Sequence, residues 1–197
     1  MKIILIIIIS ALLSISGIYL LREKVFKGNQ VAPKNNPTSF SDFYKLSAKD
    51  IDGNVIKFSK YKGKKLLIVN VASKCGYTPQ YKDLQELHKK YKDKITILAF
   101  PSNNFGFQEP GSNSEIEEFC EINYGIQFQL FEKSDVRGKK SNSVYKWLSS
   151  VEDNGWNDKA PRWNFFKYLV DGDGSLKAVY SSNTNPLDKE ILDFVLN

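Results

Sequence analysis

The sequence predicts an α/β domain: one mixed central sheet flanked by helices, with an extra β-hairpin at its N-terminal end. Three observations predict it. Residues 65–71 and 95–100 are short apolar runs rich in Ile, Leu and Val, the signature of strands buried on both faces. Stretches with apolar residues at helical spacing follow each run. Two turn signals, Asp52-Gly53-Asn54 and Asp171-Gly172-Asp173-Gly174, sit between strand-like segments and mark hairpins near the start and end of the domain.

Taken in order, residues 43–51 alternate and meet 55–58 across the first turn. The strand at 65–71 leads to a helix over 79–91, whose stripe is Tyr81, Leu84, Leu87 and Tyr91. The strand at 95–100 leads to a polar loop over 101–113 and then a helix over 114–124. Ser114 with Glu117 reads as its capping box and Gly125 as its stop. After a short apolar stretch at 128–131, Val144, Trp147, Leu148 and Val151 define a helix over 143–151. Strands at 165–171 and 176–180 flank the second turn, and a helix over 186–196 carries Pro186 in its first turn. Strands alternating with helices, then a hairpin and a helix, is the order of a thioredoxin-like fold.

A chain of 197 residues suits one such domain plus a short extension. Residues 3–21 carry no charge and are about long enough to cross a bilayer. Residues 1–24 are therefore read as a transmembrane anchor or signal segment, with the domain membrane-anchored or exported. The linker 25–38 has no apolar period and holds Pro33 and Pro37. The domain occupies 39–197. The net charge of +6 comes almost wholly from Lys interspersed with acids, and Arg occurs only at 22, 137 and 162, which argues against nucleic acid as a partner. Two cysteines do not make a disulfide scaffold.

Cys75 is the first chemical candidate. It lies in Ala72-Ser73-Lys74-Cys75-Gly76, between a strand and a helix, where free N–H groups and Lys74 favour a thiolate. Thr78 stands where a C-x-x-C dithiol would keep its second cysteine, which argues against a dithiol oxidoreductase. The loop Phe100-Pro101-Ser102-Asn103-Asn104-Phe105-Gly106-Phe107-Gln108-Glu109-Pro110-Gly111 and the segment Arg162-Trp163-Asn164-Phe165 supply amides and an indole N–H. Cys120 shares a helix face with Ile116 and Phe119, which leaves open a second reactive thiol or a buried core thiol.

In this order and spacing, N-V-A-S-K-C-G, F-P-S-N-N-F-G-F-Q-E-P-G and W-N-F resemble the glutathione peroxidase family, and the resemblance runs from about residue 39 to the C-terminus. It implies a thioredoxin fold and reduction of hydrogen peroxide or organic hydroperoxides by a thiol, with no cofactor. It places the nucleophile on Cys75, and Trp163 and Asn164 beside it. The family's Gln position holds Asn104, so the resemblance makes Asn104→Gln neutral or favourable to reactivity; Asn103 is read as a buttress of the loop. Cysteine members often resolve the oxidised nucleophile with a second cysteine, which points to Cys120, and then use a thioredoxin-like protein; single-thiol members use glutathione. The lack of an Arg cluster near the motifs ranks thioredoxin-like reductants first, and the lack of a long insertion before Trp163 implies a monomer. A peroxide-responsive sensor, or a thiol-disulfide relay without efficient turnover, shares all three motifs. The single His, His88, is read as a surface residue, and the Asp171–Asp173 segment as a turn rather than a calcium loop, because Lys177 occupies a ligand position.

Overall fold

The computed structural model describes residues 29–34 and 42–197. Eight strands are present among them: β1 (Gln30–Val31), β2 (Ser47–Lys49), β3 (Val55–Lys57), β4 (Lys65–Val71), β5 (Ile95–Pro101), β6 (Gln129–Leu130), β7 (Lys167–Val170) and β8 (Leu176–Tyr180). Among the described residues five α-helices accompany them: α1 (Gln80–Tyr91), α2 (Asn113–Tyr124), α3 (Ser143–Leu148), α4 (Val151–Asn154) and α5 (Lys189–Leu196). The main sheet runs β1-β8-β7-β4-β5-β6, and β2 and β3 form the predicted hairpin apart from it. β4, β5 and β6 are parallel, while β7 and β8 turn back antiparallel.

The alternation of β4 explains the layers. Leu67, Val69 and Val71 face one core, filled by Tyr81, Leu84 and Leu87 of α1, Ile116 and Cys120 of α2, and Ile191 and Val195 of α5. Leu66 and Ile68 face the other, filled by Phe43, Phe58, Val144, Trp147 and Leu148. Both faces of β4 are thus covered, and the strand reads as a continuous apolar run.

Several boundaries differ from the sequence reading. The segment read as a flexible linker contributes β1, which extends the sheet beyond β8, so the ordered domain reaches back past residue 39. The capping box of α2 is Ser112 with Glu115, not Ser114 with Glu117: Ser112 is extended (φ −69°, ψ 170°), and helical geometry starts one residue later. Gly125 does stop α2, in the left-handed region at φ 56°. The helix read over 143–151 is two, because the Ser150 side chain caps a new start by accepting from the Asp153 N–H. The last helix starts at Lys189, since Asn185 and Asp188 close a turn around Pro186. Among the described residues no helix is long and apolar enough to cross a membrane; residues 3–21 lie outside the described residues.

Candidate active site

The candidate site lies at the C-terminal end of β4, where parallel strands of an α/β sheet leave their loops free. The chain leaves β4 at Val71 and turns through residues 72–79 before α1 begins. Cys75 is therefore not at the helix N-terminus that the sequence suggested; four residues of turn separate it from Gln80. Its own surroundings supply the donor instead: the Tyr77 N–H points at Sγ at 3.4 Å. Thr78 pins this turn. Its Oγ1 accepts from the Cys75 N–H at 2.9 Å and donates to the Ala72 carbonyl at 2.8 Å. Cys75 is 7% exposed, and the space over the adjacent Gly76 is open.

The loop after β5 closes over this turn. Glu109 is buried, and its carboxylate accepts from the Ser73 N–H at 2.9 Å; desolvation raises its pKa. Asn103 buttresses the loop as expected, accepting from the Glu109 N–H at 2.9 Å. The Asn104 amide is bonded to its own loop and to the segment at 135–136. Its Oδ1 accepts from the Val136 N–H at 2.7 Å and from the Ser102 hydroxyl at 3.0 Å, and its Nδ2 donates to Asp135 at 2.6 Å. Shorter than Gln by one methylene, this amide is captured by the neighbouring loop.

Gln108 takes the role of bridge. Two consecutive left-handed residues, Gly106 (φ 62°) and Phe107 (φ 54°), turn the chain so that Gln108 reaches both halves of the site. Its carbonyl accepts from the Lys74 N–H at 3.0 Å, and its Oε1 accepts from Asn164 Nδ2 at 3.0 Å. Sequence reading missed it because its motif neighbour Asn104 occupied the expected position. The signal available was Gly106-Phe107, a loop tip that folds back.

Trp163 and Asn164 arrive from the far side of β4. Asn70, fully buried in β4, donates from Nδ2 to the Trp163 carbonyl at 3.0 Å and accepts from the Phe166 N–H at 3.1 Å. The Phe165 N–H reaches the Asn70 carbonyl at 2.6 Å, and Phe165 is itself left-handed at φ 62°. That conformation costs a bulky residue energy, and here several bonds hold it. Lys167 adds one: its fully buried ammonium donates to the Phe165 carbonyl at 2.8 Å, and burial pushes it down to about 7. Asn164 is buried, with its Oδ1 lacking a partner among the described residues. The Trp163 ring packs on Phe105 at 5.9 Å and stays 39% exposed. Beside it opens a cleft of about 370 Å³ walled by Tyr77, Arg162, Trp163, Phe166 and residues 181–183.

Cys120 lies on α2, 1% exposed, in the same core as Cys75, and both thiols are free. Burial pushes the Cys120 thiol up to about 11. His88 is not a surface residue: it is half-buried with its ring edge against Phe128, and burial lowers its pKa. The Asp171–Asp173 turn is closed by Lys177, within 3.7 Å of Asp173.

Comparison with known proteins fits this arrangement. The sequence pattern of the family described as "Glutathione peroxidase" matches residues 43–149. "Glutathione peroxidase-like peroxiredoxin 2" of Saccharomyces cerevisiae is 52% identical over 154 residues, covering 77% of this chain and 95% of that protein. A "Probable phospholipid hydroperoxide glutathione peroxidase" of Helianthus annuus is 44% identical, covering 82% and 87%. The crystal structure of T. cruzi GPX1 is 31% identical with a TM-score of 0.60, covering 79% of this chain and 97% of that one. A secreted disulfide oxidoreductase of Mycobacterium tuberculosis, 12% identical with a TM-score of 0.54, shares the fold alone.

Proposed function

The chain belongs to the glutathione peroxidase family and is a thiol-dependent peroxidase; from that premise we propose that Cys75 is its nucleophile and that Trp163 and Asn164 serve the departing oxygen. The observation that carries this is the Gln108 bridge, which ties the Cys75 turn to Asn164 through bonds of 3.0 Å to each. The Cys75 thiolate attacks the terminal oxygen of the hydroperoxide, the O–O bond breaks, and the alkoxide or hydroxide that leaves takes a proton to become alcohol or water. N–H donors preorganised at that oxygen lower the barrier. Gln108 uses one hydrogen of the Asn164 amide and fixes its orientation, which leaves the other for the leaving oxygen. The Trp163 indole supplies a second N–H. Cys75 is left as sulfenic acid.

Cys120 is proposed to resolve it: its thiol attacks the Cys75 sulfur, water departs, and a disulfide remains for a dithiol reductant. A thioredoxin-like protein is the favoured reductant, with glutathione as the other. Burial of both thiols in one core supports the pairing, and the strict geometry of a disulfide requires α2 to open locally first. The chain is further proposed to act as a monomer, since no long insertion precedes Trp163, and to be held at a membrane through residues 3–21, or exported by them, on the strength of that uncharged run.

The test is the intact mass of the reduced protein after one equivalent of hydrogen peroxide, with and without a sulfenic-acid trap. Loss of two hydrogens, abolished in Cys120→Ser, is expected. A trapped sulfenic acid on Cys75 in wild-type protein without a bridge removes Cys120 from the cycle. An unreacted Cys75 removes the proposed nucleophile.

A further inference from the structure

Three consecutive carbonyls in the segment that carries Trp163 and Asn164 are held by side chains from three separate places in the chain. Asn70 of β4 donates to that of Trp163 at 3.0 Å, and the Lys167 ammonium of β7 donates to that of Phe165 at 2.8 Å. The carbonyl of Asn164 itself accepts from the Ser182 hydroxyl at 2.5 Å. Ser182 is buried in the loop that leaves β8. Together with the bond from the Phe165 N–H to the Asn70 carbonyl, it holds the Asn164–Phe165 peptide at both its N–H and its oxygen. This peptide has to be held, because it leads into Phe165, and a bulky residue keeps a left-handed backbone only where its surroundings impose it.

The loop that carries Ser182 is itself tied down on three sides. At the start of α1, Gln80 donates to the Ser182 carbonyl at 2.7 Å, and Asp83 accepts from the Asn185 amide at 2.7 Å. Ahead of β1, Asn29 accepts from the Ser181 N–H at 2.9 Å and donates to the Thr184 hydroxyl at 2.9 Å. From the thiol turn, the Tyr77 hydroxyl donates to the Asn183 side chain, and the Tyr77 N–H is the donor that points at Cys75 Sγ. Two adjacent residues, Ser182 and Asn183, therefore grip both halves of the site, one through Asn164 and the other through Tyr77. This is a second bridge, built without Gln108.

We propose that Ser182 is a positioning residue of the peroxidase reaction: its hydroxyl sets the backbone of Asn164 so that the free amide hydrogen of Asn164 meets the leaving oxygen, while Gln80 and Asn29 hold the Ser182 loop in place. This rests on the role of Asn164 proposed above. Ser182 acts through Asn164, neither giving nor taking a proton in the reaction. Its effect is therefore confined to oxidants whose leaving oxygen needs a donor. Hydrogen peroxide expels hydroxide, a strong base that draws the full benefit of a preorganised N–H. Peroxyacetic acid gives its terminal oxygen to the same thiolate and expels acetate, a weak base that leaves without such help.

The experiment follows single-turnover oxidation of Cys75 in the reduced full chain, with each oxidant in turn. Ser182→Ala is expected to lower the hydrogen peroxide rate about tenfold and the peroxyacetic acid rate less than about twofold. Ser182→Thr, which keeps a hydroxyl, is expected to recover most of the hydrogen peroxide rate. Added to Asn164→Ala, Ser182→Ala is expected to cost nothing further, since both act through one amide. Asn29→Ala loosens the loop without altering Ser182 and is expected to give a smaller loss with the same selectivity. Equal losses with both oxidants in Ser182→Ala overturn the proposal, because a general disturbance of the fold or of the thiol slows both. An unchanged hydrogen peroxide rate in Ser182→Ala, or a full further loss on top of Asn164→Ala, overturns it as well. If Ser182→Ala does not fold, Asn29→Ala carries the same comparison, and a loss there that is equal for both oxidants is decisive against it. A wild-type hydrogen peroxide rate in Asn164→Ala strikes the role of Asn164 instead, and the proposal falls with it.

Discussion

Replacing Asn104 with glutamine separates two amides that compete for one role. The family resemblance makes this change neutral or favourable, since it restores the residue expected beside the nucleophile. The structure predicts the reverse. The Asn104 side chain satisfies the buried Val136 N–H, accepts from Ser102 and donates to Asp135, at 2.7, 3.0 and 2.6 Å. An added methylene displaces the amide by about 1.5 Å, and three bonds of this spacing cannot all survive. At about 1 kcal/mol for each, the loss is about 3 kcal/mol. For a domain of this size that lowers Tm by about 6–12 °C. Thermal melts of the reduced protein, paired with stopped-flow oxidation of Cys75 well below the transition, measure both effects. We expect a lower Tm and no gain in oxidation rate. A Tm within a degree of wild type together with faster oxidation would show that residue 104 faces the thiol, and would refute the assignment of the bridge to Gln108.

Gln108→Ala should have the complementary profile: a fall of about tenfold or more in the rate of Cys75 oxidation as Asn164 loses its orientation, with little change in melting, since this residue is only half-buried. Equal rates for wild type and variant, in stopped-flow, would remove Gln108 from the site. Lys167 makes stability depend on pH with a definite sign. Its folded pKa is lowered to about 7, below the unfolded value of about 10.4. Between these values the unfolded chain binds the extra proton, so wild type should gain on Lys167→Met as pH rises from 7 toward 10, by at most about 1.4 kcal/mol per pH unit; urea unfolding at pH 7 and 9 reads the difference, and a constant gap would contradict the lowered value. Gly172→Ala should destabilise by about 2 kcal/mol or more, because the added Cβ would lie 2.9 Å from the backbone of Gly63; an unchanged Tm would show that this approach relaxes freely.

The parts of the fold legible in the sequence are those set by local pattern. The run 65–71 became β4 at its predicted bounds because covering on both faces leaves no polar interruption to misread. The residues of W-N-F likewise announced themselves as a motif. The parts that escaped depend on distant partners. Gln30–Val31 has no strand pattern of its own and is a strand because β8 offers an open edge. The bonds of Asn104 were not legible because Asp135 and Val136, which hold it, lie some thirty residues on. Gln108 was missed for the same reason, its partner Asn164 being farther still. Ser114 with Glu117 has the spacing of a capping box, but the extended backbone at Ser112 puts the cap two residues earlier.

Asn70 has a mechanical consequence. The strand that delivers Cys75 also grips, through this one side chain and its backbone, the segment that carries Trp163 and Asn164. A sheet flexes mostly by sliding and twisting of whole strands. Any such movement of β4 carries the sulfur and its two companions together, as points on one lever, and their mutual spacing survives the motion. The enzyme is thereby built to hold its tolerance while the rest of the sheet breathes, and the same grip means that damage to this strand removes both halves of the proposed site in a single stroke.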